Sequence, residues 1–248
     1  MLLGGGPGVS AADNWQNSMG PLAEAGFSVY APDIVGFGLS DKPADGNTVE
    51  AKAQHVKNFI DAVCLESFSL VGNSLGGRLS LGIAWDWPKR VKRLILTGSV
   101  GLRLEPTPEL RLLLGYTPSK EKMRQLCETL WYDPSLITDE MIESRYQLSL
   151  APDAQAAYEG FMKVISDRNV PSQIIIEEKL PEIHTSTLLI WGKHDRVVPP
   201  KLGQRMVELL PNARLEVFEK CGHWVQVEQS RKFNQLVVEF MRGQKAAA

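Results

Sequence analysis

One short stretch constrains the fold of this chain more than any other. Gly72-Asn73-Ser74-Leu75-Gly76-Gly77 stands between an apolar run, Ser67–Val71, and a helical pattern, Leu75–Trp85. A strand that turns sharply into a helix at Gly-x-Ser-x-Gly is the setting of a nucleophile elbow. Small residues two positions either side of the serine let the turn pack tightly. The hydroxyl then stands at a helix N-terminus, whose dipole favours developing negative charge. A glycine-rich turn with a serine cap is the plainer alternative, and the motif taken alone does not separate the two.

The rest of the chain supplies the frame that such a turn needs. Phe27–Ala31, Ser67–Val71, Leu94–Thr97, Leu188–Trp191 and Leu215–Phe218 are short apolar runs that read as buried strands. Between them, Ala51–Val63, Leu202–Leu210 and Phe233–Met241 carry apolar residues at helical spacing. Alternation of this kind predicts an α/β fold, a mostly parallel sheet with helices on both faces. From about Leu102 to Leu180 the rhythm stops, leaving helical patterns punctuated by prolines. The expected organisation is one α/β core, residues 1–101 and 181–248, interrupted by a helical lid, residues 102–180.

Composition excludes several alternatives. With 248 residues, a core of ordinary size forms without disulfides or metal. Lys and Arg total 27 against 29 Asp and Glu, with no basic block, so no nucleic-acid partner is expected. The three cysteines, Cys64, Cys127 and Cys221, form neither a paired framework nor a zinc motif. Reduced thiols in a cytoplasmic protein are the simplest reading. No apolar run reaches membrane-spanning length, and Met1-Leu2-Leu3-Gly4 does not open a signal peptide. The Gly243–Ala248 stretch reads as a frayed tail.

A serine nucleophile needs a base and an acid, in the chain order Ser, acid, His. Asp195 follows the strand Leu188–Trp191, and His223 follows the next strand; both stand at C-terminal strand ends, where open α/β sheets place their sites. His55 reads as a solvent-facing helix residue, His184 as a loop residue and His194 as a neighbour of the acid. Asp195 could instead cap the turn before Val197-Val198-Pro199. Near the start, Gly4-Gly5-Gly6-Pro7-Gly8 can bring backbone N–H groups to an oxyanion, together with the N–H of Leu75. It matches no nucleotide-binding loop.

On these residues the sequence resembles the α/β-hydrolase superfamily. Within it, the chain is similar to the meta-cleavage-product hydrolases, which break carbon–carbon bonds in bacterial aromatic degradation. The resemblance is carried by Gly4–Gly8, Asn14, Asp33–Pro43, Gly72–Gly77, Ser135–Thr138, Arg145 and Cys221-Gly222-His223-Trp224. It implies catalysis by Ser74, Asp195 and His223, an oxyanion hole from Gly5, Gly6 and Leu75, and substrate binding by Asn14, Asn73, Arg145 and Trp224. Composition alone does not choose among Arg103, Arg111, Arg124, Arg145 and Arg168; the resemblance selects Arg145. For Asn73 and Trp224, turn stabilisation and core packing remain open as alternatives.

The implied substrates are 2-hydroxy-6-oxo-hexa-2,4-dienoates, which are ketonised and then attacked at the C6 ketone. No metal or organic cofactor is implied, no membrane partner is expected, and homo-oligomers are common in the family. Leu130, Trp131, Phe161, Met162 and Val198 are the expected apolar liners. The chain departs from the family pattern at Leu3, where the family carries His. It also begins three residues before the glycine loop, so N-terminal strands of the fold are expected to be missing and Phe27–Ala31 to form an exposed edge. A carboxylesterase or lactonase on the same triad, a non-catalytic ligand binder and an inactive truncated homologue are the competing readings. Dehalogenases and epoxide hydrolases are disfavoured because they use Asp where this chain has Ser74.

Overall fold

The computed structural model describes residues 1–166 and 174–243. Arg168, Pro171 and the tail after Gly243 lie outside them. Four strands, β1 (Phe68–Asn73), β2 (Val91–Thr97), β3 (Ser186–Gly192) and β4 (Ala213–Phe218), form one sheet in the order β1-β2-β3-β4. Every pairing is parallel. β2 and β3 are buried along almost their whole length, which requires cover on both faces. Helices supply it in two packed groups. α1 (Ala11–Glu24), α9 (Val225–Glu228) and α10 (Ser230–Met241) pack together, and α3 (Leu75–Asp86) joins α2 (Val49–Ala62) and the strands β1 and β2. α8 (Lys201–Leu209) lies against β3 and β4.

The register aligns the C-terminal ends of the strands. Asn73 pairs with Thr97, Thr97 with Ile190, and Gly192 with Phe218. The loops that leave the sheet there, beginning at Ser74, Gly98, Lys193 and Glu219, therefore share one edge. Between β2 and β3 the chain forms α4 (Pro108–Leu114), α5 (Lys120–Leu130), α6 (Asp139–Ser149) and α7 (Ala154–Ser166). Each of α4, α5 and α6 starts at a side-chain cap, from Thr107, Ser119 and Thr138. Among the described residues, no helix is long and apolar enough to cross a membrane.

The strand expected over Phe27–Ala31 does not form. Phe27, Val29 and Ala31 do pack on the core while Ser28 and Tyr30 face outward, as a strand's alternation requires. A strand also needs a neighbour for its backbone groups. Alongside it the Met1 amino group reaches the Tyr30 carbonyl at 2.5 Å, and the next residue, Leu2, makes an isolated parallel bridge to Gly72, so no ladder runs along Phe27–Ala31 among the described residues. His55 also departs from expectation. It is half-buried, and its Nδ1 accepts from the Val35 N–H at 3.4 Å.

Lys52 sits on the buried face of α2 with Val49, Val56 and Ile60 and is 0% exposed. Its ammonium donates to the Val35 and Gly46 carbonyls and lies over the rings of Phe37 and Phe161, 4.7 and 4.8 Å from their centres. Burial pushes its pKa down to about 8. Between that value and the ordinary value near 10.5, the unfolded chain binds a proton that the native lysine lacks. Stability should therefore rise with pH through this window, by up to about 1.4 kcal/mol per pH unit from this group. Urea titrations at stepped pH should show that slope, and Lys52→Met should remove it.

Candidate active site

β1 runs directly into Ser74, whose backbone is strained at φ 52° and ψ −111°. A non-glycine residue there costs about 1–3 kcal/mol and persists only where its surroundings hold it. Here the Ser74 N–H donates to the Thr97 carbonyl at 2.9 Å, and the Ser74 carbonyl accepts from Arg78 and Val100. The flanking glycines allow the turn to close. A Cβ on Gly72 would stand 2.4 Å from the Gly76 carbonyl oxygen, and one on Gly76 would stand 2.2 Å from that of Leu2. Ser74 is thereby presented at the head of α3, half-exposed to a cavity.

The two expected partners meet. His223 Nδ1 and Asp195 Oδ2 are 2.7 Å apart, both buried. The other carboxylate oxygen, Oδ1, accepts from the N–H groups of Val197 and Val198 at 2.9 and 2.8 Å. Asp195 therefore caps its turn, and the same carboxylate meets the imidazole of His223. With Nδ1 engaged, Nε2 is the ring nitrogen free for proton transfer. Gly98 makes room for the pair: a Cβ there would meet His223 Nδ1 at 2.8 Å. His194 lies apart on the surface, stacked on Tyr132.

Ser74 and His223 line one cavity of about 1010 Å³. The glycine loop lies along it, with the Cα–H of Gly4 directed at Asn73 and Ser74 and that of Gly5 at Leu75. Leu3, where the resemblance leads one to expect His, is fully buried. Leu130, Phe161, Met162 and Val198 line the cavity as expected; Trp131 instead packs against Trp224, the rings tilted by 58° with 4.7 Å between their centres.

Arg145 projects from α6 into the same cavity and is 2% exposed. Its Nη2 donates to the Pro7 carbonyl at 3.1 Å, and its guanidinium lies 4.6 Å over the Trp224 ring. Nε and Nη1 are buried and have no partner among the described residues. Gly8, at φ 60°, lets the loop cross α6: a Cβ there would stand 1.9 Å from the Arg145 carbonyl oxygen. Asn73 Nδ2 donates to the Thr97 carbonyl and hydroxyl at 3.3 and 3.1 Å, while its Oδ1 is buried without a partner among the described residues.

Asn14 is not among the residues that line the cavity. It is buried in α1, where its amide bonds to Gln226 and to the Ser10 carbonyl. The Thr97 hydroxyl donates to Gln226 Oε1 at 3.5 Å, so a buried polar chain links Asn14 to Asn73. Sequence reading missed Gln226, and it missed Glu228, which sits one helical turn after Trp224 with its carboxylate on backbone N–H groups. The signal available for both was a polar residue within the short apolar stretch after His223.

A parallel sheet whose C-terminal edge carries a strained serine, a paired histidine and aspartate and a glycine loop defines an α/β hydrolase. The model of the Alpha/beta hydrolase family matches residues 2–236. The 2-hydroxy-6-oxo-2,4-heptadienoate hydrolase of Pseudomonas putida is 39% identical, over 97% of this chain and 87% of that protein. The 2-hydroxy-6-oxo-6-phenylhexa-2,4-dienoate hydrolase of Burkholderia cepacia is 36% identical, over 97% and 86%. Among solved structures, the meta-cleavage product hydrolase of Pseudomonas fluorescens IP01, as a serine-to-alanine mutant complexed with acetates, superposes with a TM-score of 0.91. It is 38% identical and is matched over 98% of this chain and 89% of that one. The chain belongs to the α/β-hydrolase family and, within it, to the meta-cleavage product hydrolases.

Proposed function

We propose that this enzyme hydrolyses the C5–C6 bond of 2-hydroxy-6-oxo-hexa-2,4-dienoates, giving 2-hydroxypenta-2,4-dienoate and a carboxylic acid. One observation carries the choice of substrate: Arg145 is a buried cation in the cavity of Ser74, with two guanidinium nitrogens unpartnered among the described residues. Leaving buried donors unpaired costs about 1–3 kcal/mol each, and more for a charged group. A substrate carboxylate is the group that satisfies them. The relatives named above act on dienoates, which carry one.

The chemistry follows in two stages. With the carboxylate on Arg145, the dienol is ketonised, its hydroxyl giving up a proton as C5 takes one up while charge grows on the dienoate; Trp224 lies against the guanidinium, and Asn73, which lines the same cavity, serves the same polar end. His223 then takes the Ser74 proton as Oγ bonds to C6, and the N–H groups of Gly5, Gly6 and Leu75 receive the oxyanion. Asp195 steadies the imidazolium. The C5–C6 bond breaks, and its electron pair passes into the dienol system, which takes the proton back from the His223 imidazolium. Water, deprotonated by His223, releases the acid from Ser74. The helices α4, α5, α6 and α7 between β2 and β3 serve as the lid over this chamber. We also infer a cytoplasmic setting, favoured by the unpaired thiols of Cys64, Cys127 and Cys221, and a homo-oligomer, to be read by light scattering.

A panel of coloured dienoates with alkyl and aryl C6 groups tests the reading. Loss of dienoate absorbance at catalytic enzyme concentration is the expected result for at least one member. Turnover of aryl esters with every dienoate untouched would assign the triad to an esterase instead.

A further inference from the structure

The loops that hold Asp195 and His223 are both fastened to one short stretch at the end of α5. The His223 N–H donates to the Leu130 carbonyl at 2.8 Å. Arg196, next to Asp195, donates through Nη2 to the carbonyls of Glu128 at 2.6 Å and of Thr129 and Trp131 at 3.4 Å. Between these ties stands Glu228. One carboxylate oxygen accepts from the Gly222 N–H and the other from the Tyr132 N–H, each at 2.8 Å. Gly222 has no space for a side chain: a Cβ would stand 2.5 Å from the Leu130 carbonyl oxygen and 2.9 Å from Glu228 Oε1.

We propose that Glu228 is a positioning residue for His223, a two-armed carboxylate that holds the histidine loop against the end of α5. Among the described residues its carboxylate bonds to no side chain of the triad, and it reaches His223 through Gly222, the residue before it, with Tyr132 as the anchor on the other side. Two arms need two acceptor oxygens, which a carboxylate has and an amide does not. Loss of one arm frees the loop where the imidazole is set, and small misplacements of a catalytic group are costly. Burial pushes the Glu228 carboxyl above its ordinary range, while the N–H groups of Tyr132, Gly222 and Asp133 pull it back.

The inference rests on the triad reading above, and the test separates the two. Wild-type protein is first treated with a fluorophosphonate; if Ser74 is not labelled, the triad reading fails and Glu228 is not at issue. With labelling in hand, Glu228→Gln is compared with wild type. It keeps the side chain's size and one acceptor. The expected result is a fall of about tenfold or more in labelling rate and in kcat for a dienoate. Dienoate Kd, measured by titration of colour with Ser74→Ala and Ser74→Ala/Glu228→Gln, should agree within about twofold. An unchanged labelling rate would overturn the proposal. So would a weaker Kd accompanied by a lower Tm, since general packing loss affects binding and stability together.

Discussion

Ser74→Ala should bind a coloured dienoate and leave its C5–C6 bond intact, with cleavage slowed about 10³- to 10⁶-fold. The variant lacks the atom that bonds to C6, while Arg145, Asn73 and the glycine loop remain in place to hold the substrate. The elbow itself should tolerate the change. Alanine adds no bulk at φ 52°, and the ties from Ser74 to Thr97, Arg78 and Val100 are all made by its backbone. Single-turnover absorbance in excess enzyme reads both halves of the prediction, as a persistent spectral shift without decay. Cleavage within tenfold of wild type would remove Ser74 from the role of nucleophile. A residual rate above that in water is compatible with the account, because the oxyanion hole and substrate binding survive.

Arg145→Gln should reduce kcat/KM for a dienoate by roughly tenfold to a hundredfold or more, and leave p-nitrophenyl acetate turnover almost unchanged. A charge-assisted contact to a carboxylate is worth about 1.5–3 kcal/mol, and each 1.4 kcal/mol is a factor of ten. The loss should concentrate in ketonisation, where negative charge accumulates on the dienoate. A neutral aryl ester has no carboxylate to present. Equal losses on both substrates would instead assign Arg145 to packing, through its stacking on Trp224 and its bond to Pro7. No loss on either would move the carboxylate anchor elsewhere.

The parts of this site that were legible in the sequence are those set by local geometry. Gly72, Ser74 and Gly76 are readable because a tight strand-to-helix turn admits few residue types, and the clashes a Cβ would make explain each glycine. Asp195 and His223 were reachable because parallel strands deliver their loops to one edge. Arg145 was not readable from chemistry alone; five arginines lay in the lid segment, and only the likeness to a family separated them. Long-range features escaped for physical reasons. Lys52 holds a core position on α2 that a charge should not occupy unpaired, and what stabilises it are carbonyls and rings from distant segments. Glu228 grips backbone N–H groups 96 and 6 residues away, a contact without a side-chain signature. Phe27–Ala31 carried the right alternation but pairs with no strand among the described residues, which a strand pattern by itself does not report. Asn14 carried the likeness, yet folding set it behind the cavity, on Gln226.

The central claim is that this chain breaks a carbon–carbon bond, and product analysis in ¹⁸O-labelled water tests it most directly. A C6-substituted dienoate is consumed by wild-type enzyme and the products are resolved by mass spectrometry. The account predicts equal amounts of 2-hydroxypenta-2,4-dienoate and the carboxylic acid from the C6 side, the acid carrying one oxygen from solvent. Recovery of intact dienoates, whatever their C6 group, from enzyme that hydrolyses an aryl ester in the same buffer would contradict it.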